Sequence, residues 1–304
     1  MKVLITGAKG QLGTELRRCL ETGRAEIGPI PAAYEGAEVQ AVDYDSLDIS
    51  DGAAVEAWFA GHGPYDIVFN CAAITNVDGC EADEAGAYAV NAEGAAHVAR
   101  AAEACGAKLV HVSTDYVFPG TEERPRTEED PTGPISAYGR TKLAGEQAAR
   151  AACPRTFVVR TAWLYGYAGG NFAKTMMRLA RQNGAIAVVA DQVGNPTSAN
   201  DLAHEMLKLA CTDGYGVYHC TNDGSCSWYD FACAVVDLAG IPCRKEPLTS
   251  RQYKERFPQS ADRPAFSSLD NRHLRRTVGD EMRPWREALQ TYMDNLGGLE
   301  SQHG

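Results

Sequence analysis

The chain has 304 residues, of which 44% are hydrophobic and 23% charged, and its net charge is −11. This length exceeds what one compact core normally holds, so it predicts a large globular domain with a smaller lobe. The acidic balance argues against nucleic acid as a partner, because phosphate contacts need an excess of Lys and Arg. The opening residues, MKVLITGAKG, lack the features of a signal peptide, and no apolar run is long enough to span a bilayer. We therefore expect a cytoplasmic protein without membrane contact.

The ten cysteines are scattered between Cys19 and Cys243, and they include no CxxC pair. Zinc sites and redox motifs need close spacing, so the pattern favours small buried thiols in a reducing compartment. We predict no metal site built from these cysteines.

The first half of the chain alternates apolar runs with amphipathic stretches, which is typical of a doubly wound parallel sheet of the Rossmann type. The predicted strands are Lys2–Thr6, Val39–Val42, Ile67–Asn70, Leu109–Ser113 and Thr156–Arg160. The predicted helices are Gln11–Leu20, Ala53–Ala60, Ala85–Ala104 and Ala137–Ala152. Asp51 and Ser136 are placed to cap the second and fourth of these helices.

The pattern loosens in the second half, which predicts a separate lobe. The predicted helices are Asn171–Gln182, Ala199–Ala210, Trp228–Ala239 and Pro284–Leu296, the predicted strands are Ile186–Ala190 and Gly216–Cys220, and Pro247–Arg263 is expected to be irregular. We predict a cofactor-binding domain over residues 1–165, completed by 200–244. A substrate-binding lobe would comprise residues 166–199 and 245–296, followed by a disordered tail over 297–304.

A glycine-rich loop, GAKGQLG, follows the first predicted strand and opens the first predicted helix. In this context GxxGxxG indicates a dinucleotide site, because the helix N–H groups and dipole face the pyrophosphate. Gly7 would allow the turn, Gly10 the approach of the backbone, and Gly13 close packing of the helix. The loop residues predicted to bind the cofactor are Gly7, Lys9, Gly10, Gln11, Leu12 and Gly13.

Further cofactor contacts are predicted after the second and third strands. Asp43 ends the second strand, where a carboxylate would hydrogen-bond the adenosine ribose, and Asp48 and Ile49 would border the adenine. The third strand ends in small residues, as expected where the backbone passes close to a ligand. The residues predicted to contact the cofactor here are Ala72, Ala73 and Thr75.

Tyr138 and Lys142 are the central catalytic candidates, because their i,i+4 spacing places both on one face of the fourth helix. Thr114 ends the fourth strand, and open α/β sheets bind ligands at the carboxyl ends of their strands. The three side chains suffice for carbonyl reduction: Thr114 polarises the carbonyl, and Tyr138 donates a proton under the influence of the Lys142 charge. Tyr138 can donate this proton if its pKa falls from about 10 toward neutrality, and both the Lys142 charge and an oxidised nicotinamide favour the phenolate.

Eight segments, taken in chain order, resemble one enzyme family. They are ITGAKGQLG, NCAAITNVDGCE, STDYVFPG, YGRTKLAGE, RTAWLYG, NFAKTM, DQVGNPT and RPAFSSLD. Together they resemble the dTDP-4-dehydrorhamnose reductase family of the extended short-chain dehydrogenases, from residue 1 to about residue 296. The resemblance implies reduction of the 4-keto group of dTDP-4-dehydro-L-rhamnose, the last step of dTDP-L-rhamnose synthesis.

The same resemblance implies roles for individual residues. Thr114, Tyr138 and Lys142 would form the catalytic triad, and Asn91 would contact the cofactor region and support a proton relay to Lys142. The side chains implied for the substrate channel are Val77, Asp78, Thr114, Asp115, Trp163, Asn171 and Arg263. Three of them have structural alternatives: Trp163 as a core residue, Asn171 as a helix cap and Arg263 as the partner of a surface carboxylate.

The resemblance extends to family members that form a dimer, in which Glu side chains hold a magnesium ion that bridges the two subunits. Glu15 is present here, but Asn200 stands where that pattern has a Glu, and near the carboxyl end only Asp294 offers a carboxylate. Since Mg²⁺ prefers charged oxygen ligands, we predict no bound metal and a monomer, with a dimer as the alternative.

Two charges make opposite predictions about the cofactor. Asp43 favours NADH, because a carboxylate there repels a ribose 2′-phosphate, whereas Lys9 offers that phosphate a cation. Lys9 is long enough to reach the phosphate, and we expect Asp43 to rotate out to water. The resemblance also implies NADPH with NADH tolerated, so we predict activity with both cofactors.

Two other functions remain open on the sequence. The chain could be a nucleotide-sugar epimerase or dehydratase of the same superfamily, although Tyr116 rather than a Glu follows Asp115, and dehydratases need that extra carboxylate. It could also be a non-catalytic NADP-binding regulatory subunit, against which the intact Thr114, Tyr138 and Lys142 argue.

Overall fold

A parallel sheet forms the centre of the protein. The computed structural model describes the backbone of residues 1–301 and the side chains of residues 1–297. The sheet contains β1 (Lys2–Thr6), β2 (Glu38–Val42), β3 (Ile67–Asn70), β4 (Lys108–Thr114), β5 (Thr156–Thr161) and β10 (Gly216–His219). Their order is β2-β1-β3-β4-β5-β10, and all neighbours are parallel. The chain reverses its direction of winding between β1 and β3, where sheets of this kind bind ligands.

Helices cover both faces of this sheet, because the strand side chains alternate in direction and are apolar on both sides. Val3 and Ile5 of β1 pack with α1 (Gln11–Thr22) and α8 (Ala199–Ala210). Leu4 of the same strand packs on the opposite side, against α2 (Gly52–His62), α5 (Ala95–Cys105) and α6 (Ala137–Ala152). The predicted α/β fold with a doubly wound parallel sheet is thereby confirmed.

The second lobe has its own apolar core beside the carboxyl edge of the sheet. Its core-forming helices are α7 (Phe172–Asn183), α9 (Trp228–Leu238) and α12 (Trp285–Ser301). Its strand pairs are β7 (Ala185–Val189) with β12 (Arg244–Leu248), β8 (Val193–Gly194) with β11 (Cys226–Ser227), and β6 (Leu164–Tyr165) with β9 (Thr197–Ser198). Phe231 and Tyr292 are fully buried at its centre.

Local side-chain chemistry accounts for several helix starts. Asp51 accepts hydrogen bonds from the backbone N–H groups of Ala53 and Ala54, and Ser136 accepts one from Gly139, so both predicted caps are confirmed. The helix predicted over Ala85–Ala104 exists but is interrupted by a π-helical turn, Ala89–Gly94. Such a turn widens the backbone locally and leaves no signature in hydrophobic periodicity.

The sequence prediction was wrong for the segment Pro247–Arg263, which contains the end of β12 and the helix α10 (Ser250–Arg256). Two further short helices, α3 (Val77–Ala82) and α11 (Arg272–Thr277), were not predicted, because six residues hold too few turns to show a period. The helix α4 (Glu84–Tyr88) also begins one residue before the predicted start.

The division of the chain between the two lobes differs from the predicted ranges. Within 200–244, α8 and β10 lie with the sheet, but α9 packs in the core of the second lobe. The last helix continues to Ser301, so residues 297–301 are helical where disorder was expected, and 302–304 lie outside the described residues. Over the described residues, no helix is both long enough and apolar enough to cross a membrane.

Helix α6 approaches the π-helical turn so closely that only glycine fits at the contact. A Cβ atom on Gly145 would lie 2.1 Å from the Asn91 carbonyl oxygen, whereas a Cβ on Gly61 of α2 would have open space around it. We predict that Gly145→Ala lowers the free energy of unfolding by about 1–3 kcal/mol. The control Gly61→Ala should raise it by roughly 0.5–1 kcal/mol, because alanine is the better helix former. Urea denaturation measures both, and equal effects would contradict the contact.

Candidate active site

A cavity of about 390 Å³ opens at the carboxyl edge of the sheet, between the sheet and the second lobe. Strand ends β1, β3, β4 and β5 supply one side of it, and α9 begins on the other. Of the predicted site residues, the following line it: Gly7, Gly10, Gln11, Leu12, Gly13, Ala73, Thr75, Val77, Thr114, Asp115, Tyr138, Lys142 and Trp163. The lining residues that the sequence analysis did not single out are Cys71, Val112, Ser113, Tyr116, Thr161, Ala162, Leu164 and Trp228.

The glycine-rich loop is packed so tightly that its first and third glycines leave no room for a side chain. Gly7 has φ +63°, and a Cβ there would lie 2.7 Å from the backbone nitrogen of Ala72. A Cβ on Gly13 would lie 2.3 Å from the carbonyl oxygen of Gly7. The N-cap of α1 is Gly10, and no side chain caps this helix start, so its first N–H groups remain open to a ligand. A cradle of this kind fits the pyrophosphate of a dinucleotide.

Asp43 lies under this loop and is held by the backbone. Its carboxylate accepts hydrogen bonds from the N–H of Lys9, at 2.8 Å, and from the N–H of Tyr44, at 2.9 Å. The expectation that Asp43 rotates out to water is therefore wrong in this structure. The Lys9 ammonium pairs with the carboxylate of Asp45 instead, and both of these side chains are about two-thirds exposed. Lys9 does not line the cavity, although the next residue, Gly10, does.

Thr114, Tyr138 and Lys142 meet inside the cavity. Thr114 ends β4, and its hydroxyl interacts with the Tyr138 hydroxyl from the first turn of α6. The Lys142 ammonium, one turn further along α6, donates to the Val112 carbonyl at 2.6 Å. The Tyr138 ring also packs edge-on against Tyr116, with the ring centroids 5.8 Å apart. The strand end and the helix start thus bring a hydroxyl, a phenol and an amine together.

Burial dominates the protonation of these groups. It raises the pKa of Tyr138 above its usual value, although the hydrogen bond with Thr114 opposes this, so the protein's own groups do not produce the fall toward neutrality. Burial lowers the pKa of Lys142 to about 8, while the nearby Glu146 opposes this shift. At neutral pH, Tyr138 holds its proton and Lys142 is mostly charged, which are the forms that a proton donor and its supporting cation need.

A buried ion pair fixes the helix that carries Tyr138 and Lys142. The Glu146 carboxylate of α6 accepts two hydrogen bonds from Arg160 of β5, at 2.8 and 2.7 Å, and a third from the Ser113 hydroxyl of β4, at 2.5 Å. Ser113 and Arg160 are direct neighbours in the β4–β5 ladder, and Thr114 and Thr161 follow them. The pair therefore sets the distance between α6 and the strand end that bears Thr114.

Trp163 lies in the cavity wall with an unusual backbone. Its φ is +48°, and over the described part of the chain no other non-glycine residue has a positive φ. Such a conformation costs on the order of 1–3 kcal/mol and persists only where packing enforces it. Its indole stacks on Trp228, with the centroids 3.5 Å apart and the planes at 7°. Trp228 has no signal in the sequence beyond its place at the start of a predicted helix, because its partner lies 65 positions away.

Several predicted residues lie outside the cavity lining. Asp78 and Arg263 form an ion pair at 3.0 Å, which joins α3 to the segment after α10. Asn171 is the N-cap of α7, and its amide donates to Gln11 of the glycine-rich loop at 3.2 Å. The side chain of Asn91 hydrogen-bonds the Ile74 backbone and Thr141 rather than Lys142. Besides Lys9, the other predicted cofactor residues outside the lining are Asp43, Asp48, Ile49 and Ala72.

Carboxylates that could have held a metal have partners within the chain. Glu15 is buried and paired with Arg18 and Asn200, both at 2.8 Å. One further group over the described residues, His204 with Glu205 and Glu281, has the spacing of metal ligands. The ammonium of Lys208 lies between its two carboxylates, at 3.0 and 2.7 Å, and supplies the positive charge there.

Asp115 has a buried carboxyl group in the cavity wall. Its side chain is 2% exposed, one oxygen accepts from the Thr114 hydroxyl at 2.8 Å, and the other has no partner among the described residues. Burial raises the pKa of this carboxyl to about 7, against the hydrogen bonds that oppose it. The site therefore holds a carboxyl group that titrates close to neutral pH.

This shift predicts a pH-dependent stability. A pKa raised in the folded state gives stability that is present below about pH 4 and is lost as the pH rises through about 7. The variant Asp115→Asn cannot ionise, so its free energy of unfolding relative to the wild type should increase by roughly 1–4 kcal/mol between these pH values. Denaturant unfolding across this range measures the difference.

The matched control is Asp130→Asn. Arg124 holds the pKa of Asp130 below its ordinary value, so that carboxylate is ionised in both folded and unfolded states above about pH 5. Its substitution should change stability by the same amount at every pH above this point. A flat profile for Asp115→Asn as well would show that the buried carboxyl does not titrate in this range.

Comparison with known proteins places this geometry in a family. Residues 1–297 match the family described as RmlD substrate binding domain. The dTDP-4-dehydrorhamnose reductase of Mycobacterium tuberculosis is 44% identical over 297 residues, which cover 95% of this chain and 91% of that protein.

Solved structures agree with this match over nearly the whole chain. A dTDP-4-dehydrorhamnose reductase from Clostridium acetobutylicum has a TM-score of 0.90 and 45% identity, covering 98% of this chain and 100% of the other. A dTDP-4-dehydrorhamnose reductase from Bacillus anthracis, in complex with NADP, has a TM-score of 0.88 and 38% identity, covering 97% and 99%. The chain belongs to the RmlD substrate binding domain family.

Proposed function

We propose that the protein reduces the 4-keto group of dTDP-4-dehydro-L-rhamnose with NADPH and releases dTDP-L-rhamnose. The observation that carries the proposal is the meeting of Thr114, Tyr138 and Lys142 beside an uncapped, glycine-lined helix start in one cavity. The names of the similar reductases support the choice of substrate. The cytoplasmic location stays a prediction from the sequence.

The residues divide the chemistry of carbonyl reduction between them. NADPH supplies the hydride for the carbonyl carbon. The Thr114 hydroxyl donates to the carbonyl oxygen and polarises it, and the Tyr138 hydroxyl delivers the proton that converts the developing alkoxide into an alcohol. Lys142 stabilises the phenolate that remains, because its buried charge lies one helical turn away. Reprotonation of Tyr138 completes the cycle.

The glycine-rich loop and its surroundings are proposed to hold the cofactor. Gly7, Gly10 and Gly13 provide the close approach, and the first N–H groups of α1 face the pyrophosphate. The NADP in the Bacillus anthracis reductase supports NADPH as the cofactor. Asp43 remains the proposed partner of the ribose. The N–H of Lys9 holds its carboxylate beside the loop, where the carboxylate can accept a hydrogen bond from a ribose hydroxyl.

The substrate is proposed to lie between Thr114 and the second lobe. Val77, Asp115 and Trp163 line that part of the cavity, and the Asp78–Arg263 pair lies outside the lining. An arginine there suits a diphosphate, because guanidinium groups bind phosphate oxygens in pairs. Arg263 would then exchange its carboxylate partner for the nucleotide.

The alternatives from the sequence predict different cofactor use. An epimerase retains its nicotinamide and shows no net consumption, and a regulatory subunit shows no turnover. Tyr116, which occupies the position after Asp115, is a phenol whose pKa burial raises, so it cannot supply the second carboxylate of a dehydratase. Loss of NADPH absorbance on addition of the 4-keto sugar separates all of these from a reductase.

We further propose a monomer without a bridging metal. Asn200 stands against Glu15 as a hydrogen-bond donor, and Arg18 already balances the charge of that carboxylate. A divalent ion at Glu15 would have to replace both partners. Light scattering with and without a chelator tests the proposal, and a dimer that dissociates on chelation would overturn it.

The first catalytic prediction concerns Tyr138. The variant Tyr138→Phe keeps the ring and its packing but loses the transferable proton, so turnover should fall by at least about a hundredfold while NADPH binding stays nearly intact. Steady-state kinetics and fluorescence titration with NADPH measure the two effects. The control Tyr116→Phe removes the hydroxyl of the adjacent ring and should retain more than about a tenth of the rate. Comparable losses in both variants would remove Tyr138 from the role of proton donor.

The second prediction concerns the choice of cofactor. We expect NADPH to be preferred over NADH by less than about a hundredfold in kcat/KM, which corresponds to under about 3 kcal/mol. Lys9→Ala should reduce this preference, because it removes the cation that reaches the 2′-phosphate, and Asp43→Ala should enlarge it. Measurements of kcat/KM with both cofactors on each variant decide the question.

The ion pair seen in the structure supplies a control for this prediction. Asp45 competes with the 2′-phosphate for the Lys9 ammonium, so Asp45→Asn should increase the NADPH preference. If neither Lys9→Ala nor Asp45→Asn changes the ratio, Lys9 is only a solvated surface charge.

A further inference from the structure

Two tryptophans from distant parts of the chain form one wall of the cavity. Trp163 follows β5, and Trp228 is the first residue of α9. Their rings are stacked and nearly parallel, with 7° between the planes and 3.5 Å between the centroids, and both residues line the cavity. Phe172 packs on Trp228 with the centroids 4.4 Å apart. These three rings therefore form an apolar cluster, and its two tryptophans line the same cavity as Thr114 and Tyr138.

Trp228 itself is firmly placed. Its backbone N–H donates to the Gln192 carbonyl at 3.3 Å, and Ser227 before it and Asp230 after it form a capping box. A capping box fixes the first turn of a helix, so it also fixes the direction in which the first side chain leaves. Trp228 therefore has a fixed orientation, and the ring of Trp163 stacks on it.

Trp163, in contrast, has a strained backbone conformation. Its positive φ is disfavoured for a side chain of this size, and this conformation persists only where the surrounding packing enforces it. Trp228 covers it by stacking, and Gly194 closes on its nitrogen side, where a Cβ would lie 2.5 Å from the Trp163 Cε2 atom. The Trp163 indole therefore occupies the space that Gly194 leaves by having no side chain, and Trp228 covers one face of it.

We propose that Trp228 is a positioning residue for Trp163: its stacking holds the Trp163 indole in the place where the proposed function puts the sugar of the substrate. This inference rests on the proposed function, because it takes a nucleotide-linked deoxysugar as the ligand. The C–H groups of a sugar face and the methyl group of a 6-deoxysugar are apolar and suit an aromatic surface. Loss of Trp228 would free the Trp163 ring and misplace the sugar.

The test compares Trp228→Ala, Trp163→Ala and the double variant in steady-state kinetics. Trp228→Ala should raise KM for the sugar nucleotide by about five- to tenfold, the range of an aromatic pair, while KM for NADPH changes by less than about twofold. Trp228→Phe should restore most of the affinity. Because Trp228 acts through Trp163, the double variant should resemble Trp163→Ala alone rather than show the product of the two effects.

A matched control is Trp58→Ala, which removes another stacked indole away from the cavity. Trp58 of α2 stacks on His62 with the centroids 4.0 Å apart and does not line the cavity. This variant should leave both KM values unchanged. Circular dichroism gives a readout independent of catalysis: stacked indoles produce an exciton couplet, which Trp163→Ala and Trp228→Ala should abolish alike and Trp58→Ala should not.

Calorimetric binding of dTDP-L-rhamnose separates this inference from the proposed function. If the wild type binds the nucleotide sugar tightly but does not reduce the keto sugar, the proposed function fails alone, and weaker binding by Trp228→Ala still supports the positioning role. Unchanged affinity and KM in Trp228→Ala, or effects that multiply in the double variant, would overturn that role. If the wild type does not bind dTDP-L-rhamnose, both proposals are wrong.

Discussion

The buried carboxylate of Glu146 is the point on which the active-site geometry depends. It is 3% exposed, and its hydrogen bonds tie α6 to β4 through Ser113 and to β5 through Arg160. Removal of one partner from a buried ion pair typically costs about 3–5 kcal/mol, because the remaining charge loses its compensation. Thr114 follows Ser113 in β4, and Tyr138 and Lys142 share the helix of Glu146, so one interaction sets the distances among all three.

Strand β5 also connects the sheet to the second lobe. β5 leaves the sheet after Thr161 and delivers Trp163 to the cavity within two residues. From there, stacking on Trp228 connects the sheet to the apolar core around Phe231. The strained backbone at Trp163 is therefore the junction between the part of the chain proposed to bind the cofactor and the part proposed to bind the sugar.

Burial rather than charge pairing controls the titration of the site. Asp115 and Tyr138 both have raised pKa values, and Lys142 has a lowered one, and in each case loss of solvent is the largest cause. All three shifts favour the neutral form, so the cavity holds few fixed charges of its own. A bound nucleotide and cofactor would then supply most of the local charge.

Sequence reasoning predicted the elements whose signal is local. Strand β1 has the predicted bounds, Asp51 and Ser136 cap the predicted helices, and the i,i+4 pair of Tyr138 and Lys142 shares one helix face. These features depend on residues a few positions apart, which is the range over which periodicity and capping act.

Tertiary structure decided everything that needs two distant segments. The stacking of Trp163 on Trp228 and the packing of α9 with the second lobe have no counterpart in local spacing. The raised pKa of Tyr138 also depends on tertiary structure, because burial is set by the surrounding fold and not by the neighbouring lysine in sequence. The sequence by itself therefore determined the sheet, the glycine-rich loop and the catalytic helix, and only packing decided which side chains line the cavity and in which protonation state.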